Sequence, residues 1–88
     1  MSGKKDIIVK DAWIDNQTTT ANQGKVYSIP YTIPSGYSYL ALVDILILNQ
    51  AGAASLQGVT NNTISIFVWS FNSGSNAKYG IKYLCKAN

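Results

Sequence analysis

Apolar and polar positions alternate with a period of two over most of the 88-residue chain, and that period predicts strands, because successive strand side chains point to opposite faces. The clearest run lies near the C-terminus. From Ala77 to Lys86, Tyr79, Ile81, Tyr83 and Cys85 fall on one face and Lys78, Gly80, Lys82 and Lys86 on the other, with Leu84 the exception. Residues 25–33 behave alike, with Tyr27, Ile29, Tyr31 and Ile33 opposite Val26, Ser28, Pro30 and Thr32. Pro30 has no N–H to give a ladder, which places that strand at a sheet edge or interrupts it. The first strand is expected over residues 6–14, followed by a long polar loop over 15–24.

Two stretches depart from alternation. In "TISIFVWSF", Ile64, Ile66 and Val68 share one face while Phe67, Trp69 and Phe71 share the other, so both faces are apolar. Residues 37–49, "YSYLALVDILILN", have the same two-faced character, broken by Asp44. β-branched and aromatic content, with turn signals at both ends, favours strand over helix there. A lone carboxylate buried in such a run needs a partner, either a lysine or backbone N–H groups.

Turn chemistry separates the strands. "IPSG" fits a type I turn with Pro34 second and Gly36 fourth. "QAGAASLQG" reads as a small-residue loop leading into a short strand near residues 56–59, and "TNN" and "NSGSN" read as turns. Six strands with polar turns and no convincing helix predict an all-β fold, an antiparallel, jelly-roll-like β-sandwich. One domain is expected over residues 6–88, after a disordered start at residues 1–5.

Phe67, Trp69 and Phe71 each bury on the order of 150–250 Å² when covered, so leaving all three bare makes a patch larger than monomers usually carry. Either a second sheet or another copy of the chain covers them. Because residues 37–49 raise the same problem, assembly is the favoured answer, and Phe67, Trp69 and Phe71 are the candidate oligomer interface.

Composition narrows the chemistry further. Charged residues make up only 12% of the chain, and it has no His, Glu or Arg, so a His triad, a His-ligated zinc and an arginine phosphate clamp are excluded within one copy. The acids are Asp6, Asp11, Asp15 and Asp44; Asp11 and Asp15 lack the spacing of a calcium loop. Cys85 is the single cysteine, so it forms no intrachain disulfide and reads as a small buried hydrophobe. The net charge of +3 rests on seven lysines without arginine, which fits a mildly basic surface better than a nucleic-acid interface. No signal peptide or membrane-spanning run is visible. No enzyme activity and no cofactor are expected.

"IPSGYSYLALVDILI" and "VTNNTISIFVWSFNSGSNAKYGIKYLCK" together resemble the C-terminal domains of tail-fibre, baseplate and minor structural proteins in phages of Gram-positive hosts. Those domains show a Pro-Ser/Thr-Gly-Tyr turn before an apolar strand, then a Thr-rich alternating strand, an Asn turn and a closing alternating strand. The likeness covers roughly residues 29–86; Phe71 stands before Asn72 where the family often has Arg. It implies a homotrimeric sandwich in the virion tail, working in tail-tip assembly and in adsorption to a cell-wall or surface glycan. The candidate glycan contacts are Trp13, beside the polar loop, and the turn residues Asn16, Asn61 and Asn72. Trp69 reads as core or interface before sugar platform. The alternative is a small monomeric bacterial carbohydrate-binding module.

Overall fold

A computed structural model describes residues 5–88, and in it every regular element is a strand. The strands are β1 (Ile7–Thr19), β2 (Gln23–Pro30), β3 (Tyr37–Leu48), β4 (Gly52–Val59), β5 (Thr63–Ser70) and β6 (Gly74–Ala87). They form two three-stranded antiparallel sheets, β1-β6-β3 and β2-β5-β4, referred to below as the β6 sheet and the β5 sheet after their central strands. The chain changes sheets after β1, β2, β3 and β5. Its first strand pairs with its last and its second with its fifth, which is the winding of a six-stranded jelly roll. The expected all-β sandwich is therefore the observed fold. The expected disordered start lies outside the described residues, apart from Lys5.

The two central strands supply most of the core. Ile64, Ile66 and Val68 of β5 meet Tyr79, Ile81, Tyr83 and Cys85 of β6, all buried, with Ile29 beside them. Tyrosines suit this thin sandwich because each ring packs inside while its hydroxyl reaches an acceptor at a sheet end. Tyr83 donates to the Thr32 carbonyl at 2.7 Å, Tyr31 to the Thr60 carbonyl at 2.7 Å, and Tyr79 to Gln50 Oε1 at 3.0 Å. Between the sheets, Tyr31 meets Tyr83 edge to face at 4.9 Å, and Tyr27 tilts against Tyr79 at 4.6 Å.

Three links join the sheets at one end of the sandwich, residues 20–22, 49–51 and 71–73, and they bind one another. Asn22 N–H donates to the Ser70 carbonyl at 2.7 Å, Phe71 N–H to the Ala51 carbonyl at 2.9 Å, and Ala21 N–H to Ser73 Oγ at 2.9 Å. At the other end, Ala87 N–H donates to the Asp6 carbonyl at 2.8 Å.

Several boundaries differ from the pattern reading. The polar loop over 15–24 shrinks to a turn at 20–22, because β1 runs on to Thr19 through two register shifts opposite β6. Asn16 sits at the first shift with φ 57°, a left-handed conformation that Asn tolerates better than most residues. The "GAASLQGV" stretch is strand β4, paired along its length with β5. Its Gly, Ala and Ser content has little strand propensity, and pairing overrides that. In the "IPSG" region the turn spans Pro34 to Tyr37, closed by Tyr37 N–H to the Pro34 carbonyl at 3.1 Å, with Gly36 third at φ 85°. A positive φ at the third position marks a type II turn in place of the expected type I. Pro30 does close an edge strand, β2, as its missing N–H requires.

Candidate functional site

The outer faces of the two sheets differ in charge. On the β6 sheet, Lys82 lies in register between Asp11 of β1 and Asp44 of β3, and Lys78 pairs with Asp15 at 3.7 Å. Asp44, expected buried, is exposed, and its Oδ1 accepts the Ile45 N–H at 2.8 Å. The β5 sheet carries one charged residue, Lys25, which stands opposite Val68 in the core-facing register. Its outer face, built from Gly24, Val26, Ser28, Ala53, Ser55, Ser65, Phe67 and Trp69, holds none. From residue 45 to residue 77 the sequence contains no ionisable carboxylate, lysine or arginine, and β4 and β5 fall wholly inside that run.

On this uncharged face the three candidate interface residues have different surroundings. Phe67 is half-buried because its ring lies over Gly24, in the space a Cβ at that position would need. Trp69 remains 41% exposed and Phe71, just past β5, 56%. No second sheet covers them: the opposite sheet packs on the Ile64, Ile66 and Val68 side.

A cleft opens at the flank of the sandwich between β3 and β4. A cavity of about 460 Å³ lies there, lined by Leu42, Val43, Asp44, Ile45 and Ile47 from β3 and Gly52 and Ala54 from β4. Farther along β4, Leu56 stands opposite Ile66 and Val59 opposite Ile64, so both occupy core-facing positions. Yet Leu56 is 47% exposed while Ile66 is 0% exposed. Sequence reasoning missed this cleft because it took most of β4 for a loop. The alternation Ala54, Leu56 against Ala53, Ser55 was the available signal.

The candidate glycan residues do not form one cluster. Trp13 lies within β1 on the outer face of the β6 sheet, directly opposite Gly80, and its indole covers that glycine. Its Nε1–H donates to Asp11 Oδ2 at 3.1 Å, and Lys78 Nζ stands 5.0 Å from the ring centre. Asn16 lies three residues on along the same strand. Asn72 sits among the sheet-to-sheet links, its Oδ1 accepting from Ala51 N–H at 3.1 Å and its carbonyl from Thr19 Oγ1 at 3.0 Å. Asn61 belongs to the β4–β5 turn at the opposite end of the sandwich. A smaller groove of about 260 Å³, also unforeseen, lies between Thr18, Thr19 and Thr20 on one side and Gln23, Lys25 and Tyr27 on the other.

Ionisation inside the sandwich is suppressed. Burial pushes the Tyr79 hydroxyl up to about 12, with the neighbouring Tyr27 adding to the effect. Burial likewise raises Tyr31, Tyr39, Tyr83 and the Cys85 thiol. Among the described residues no three His, Cys, Asp or Glu side chains gather as a metal site. No helix among them is long and apolar enough to cross a membrane. In comparisons with family models, curated proteins and solved structures, nothing matches this chain.

Proposed function

We propose that the chain is a structural domain of a phage or prophage tail, without enzymatic activity, that assembles as a homotrimer in the tail tip and contributes to adsorption on a host-surface glycan. One observation carries the assembly part of this reading. The outer face of the β5 sheet is free of charge and presents Trp69 to solvent, with Phe71 exposed just past the end of β5, whereas the outer face of the β6 sheet carries lysines and aspartates in register. A chain of net charge +3 meets its own copies most easily where it has no lysine. The tail assignment rests on the resemblance of residues 29–86 alone, and the missing His, Glu and Arg support a role without catalysis.

Solution mass by light scattering across a concentration series tests the reading. A stable mass near three times 9.5 kDa is expected, and a monomer at every concentration overturns it.

The Trp13 arrangement favours a second reading, the monomeric carbohydrate-binding module. The half-buried Trp13 indole rests on Gly80 with the Lys78 ammonium over its ring and Asp11 on its N–H, so an aromatic ring, a cation and a carboxylate lie together where a sugar could meet them. Titrating cell-wall polysaccharide while following tryptophan emission separates the two: a monomer whose emission responds to the sugar supports the module.

A further inference from the structure

Thr19 and Ser70 are the buried polar side chains among the described residues, 5% and 3% exposed, and both line the same groove. It is the groove of about 260 Å³ between threonines 18–20 and the start of β2, where the edge strands of the two sheets part. A polar group withdrawn from water costs stability unless it is bonded, so a small core keeps few of them. Here both stand beneath one opening. Thr19 Oγ1 donates to the Asn72 carbonyl at 3.0 Å, and Ser70 stands beside the Tyr79 hydroxyl. A hydroxyl that donates keeps lone pairs with which to accept.

The walls are fixed as well. Tyr27 Oη donates to the Thr18 carbonyl at 3.3 Å and so joins the two sides, and Asn22 N–H holds the Ser70 carbonyl at 2.7 Å. The groove is therefore formed before anything enters it, and a ligand has little to order on binding. Charge sets the sign of that ligand. Lys25 takes a core-facing position opposite Val68, and its ammonium stands 5.3 Å from the centre of the Tyr27 ring. Lys78 has Asp15 at 3.7 Å and Lys82 lies in register between Asp11 and Asp44, but no carboxylate lines the groove of Lys25.

Resting on the adsorption reading above, we propose that this groove binds a single sugar unit bearing an anionic group, a carboxylate or a phosphate monoester, with the anion on Lys25 and the sugar hydroxyls on the threonines. Threonine sets a methyl beside a hydroxyl, as a pyranose sets C–H beside O–H, and its hydroxyl donates and accepts as sugar hydroxyls do. Gln23 adds an amide that does both. At about 260 Å³ the groove is smaller than the roughly 300–1,000 Å³ of drug-sized sites, which suits one sugar unit. A neutral sugar leaves Lys25 unmatched, and a bare anion leaves the threonine wall unmatched.

Amide shifts of nitrogen-labelled protein in two-dimensional NMR test this. Glucuronate and glucose-6-phosphate are the charged probes, and glucose and inorganic phosphate supply their two halves separately. At least one charged sugar is expected to move the amides of residues 18–20 and 23–25 saturably, about tenfold more tightly than glucose or inorganic phosphate, the worth of one charge-assisted hydrogen bond. Which of the two responds names the anionic group. Lys25→Gln and Thr18→Val are each expected to weaken that binding, the first about tenfold. Lys86→Gln, an equal loss of charge elsewhere, is expected to leave it unchanged. Circular dichroism confirms that each variant is folded. Glucose or inorganic phosphate binding as tightly as the charged sugars overturns the proposal, as does undiminished binding by either folded groove variant. Shifts centred on Trp13 and Asn16, with the charged sugars or with cell-wall polysaccharide, overturn it while leaving the adsorption reading standing. No shift with any sugar or with the polysaccharide overturns both together.

Discussion

Trp13 and Gly80 face each other across β1 and β6, and the indole occupies the space that a side chain at position 80 would need: an added Cβ would collide with Cε3 and Cζ3 of the ring. Gly80 is buried beneath the ring. A strand glycine normally costs stability through its freedom and its missing contacts, and here the indole supplies the contacts. Gly80→Ala is expected to force the ring off the sheet, break its bond to Asp11 and cost about 1–3 kcal/mol, the usual range for overpacking. Urea unfolding measures the loss, and in a Trp69→Phe background the Trp13 emission moves to the red.

The open flank predicts unequal sensitivity for two neighbours in one sheet. Ile66 is fully buried, so Ile66→Ala is expected to cost about 2–5 kcal/mol. Leu56 stands directly opposite it but is half exposed, so Leu56→Ala in the monomer is expected to cost no more than about 1 kcal/mol. Unfolding of dilute protein compares the two.

Alkaline pH should destabilise the protein. Tyr79 titrates near 10 in an unfolded chain and near 12 here, and Tyr31, Tyr39 and Tyr83 shift the same way. Between those values the unfolded chain binds fewer protons than the folded one, so stability falls as pH rises. Below about pH 9 none of these groups contributes a slope. Urea midpoints from pH 7 to 11.5 should stay level and then drop, with a shallower drop in Tyr79→Phe.

Cys85 is fully buried and its thiol is pushed up by burial, so the nucleophilic thiolate is scarce. A thiol reagent at neutral pH should label the folded protein at the rate of unfolding, independent of reagent concentration at high excess. Rapid labelling in native buffer would show that β6 opens locally.

The inner faces of β5 and β6 were legible in the sequence because residues two apart share a strand face: Ile64, Ile66 and Val68 fall together, as do Tyr79, Ile81, Tyr83 and Cys85, and all are buried. β4 was not, because Gly, Ala and Ser carry little side-chain signal and the strand exists through its pairing with β5. The end of β1 was hidden by "DNQTT", polar residues whose strand state depends on β6 as a partner. Of the candidate site, the apolar outer face of β5 could be read from Phe67, Trp69 and Phe71, but Gly24 beneath Phe67 and Gly80 beneath Trp13 could not, since both contacts depend on strand register. The cleft was likewise invisible, being a property of how two edge strands diverge.

The winding of this fold also orders its birth. β6 is the last strand made and yet the central strand of its sheet, and it carries five of the eleven core residues, Ala77, Tyr79, Ile81, Tyr83 and Cys85. β4 and β5 are the one pair of consecutive strands that hydrogen-bond to each other, so a hairpin around residues 60–62 is the local structure available early. During synthesis, β1 and β3 have no partner until β6 leaves the ribosome, and the apolar side chains of β3 meanwhile stand in water. A nascent chain stalled before Gly74 is therefore a clear target for chaperones and proteases, and completion of β6 is the step that removes it from their reach.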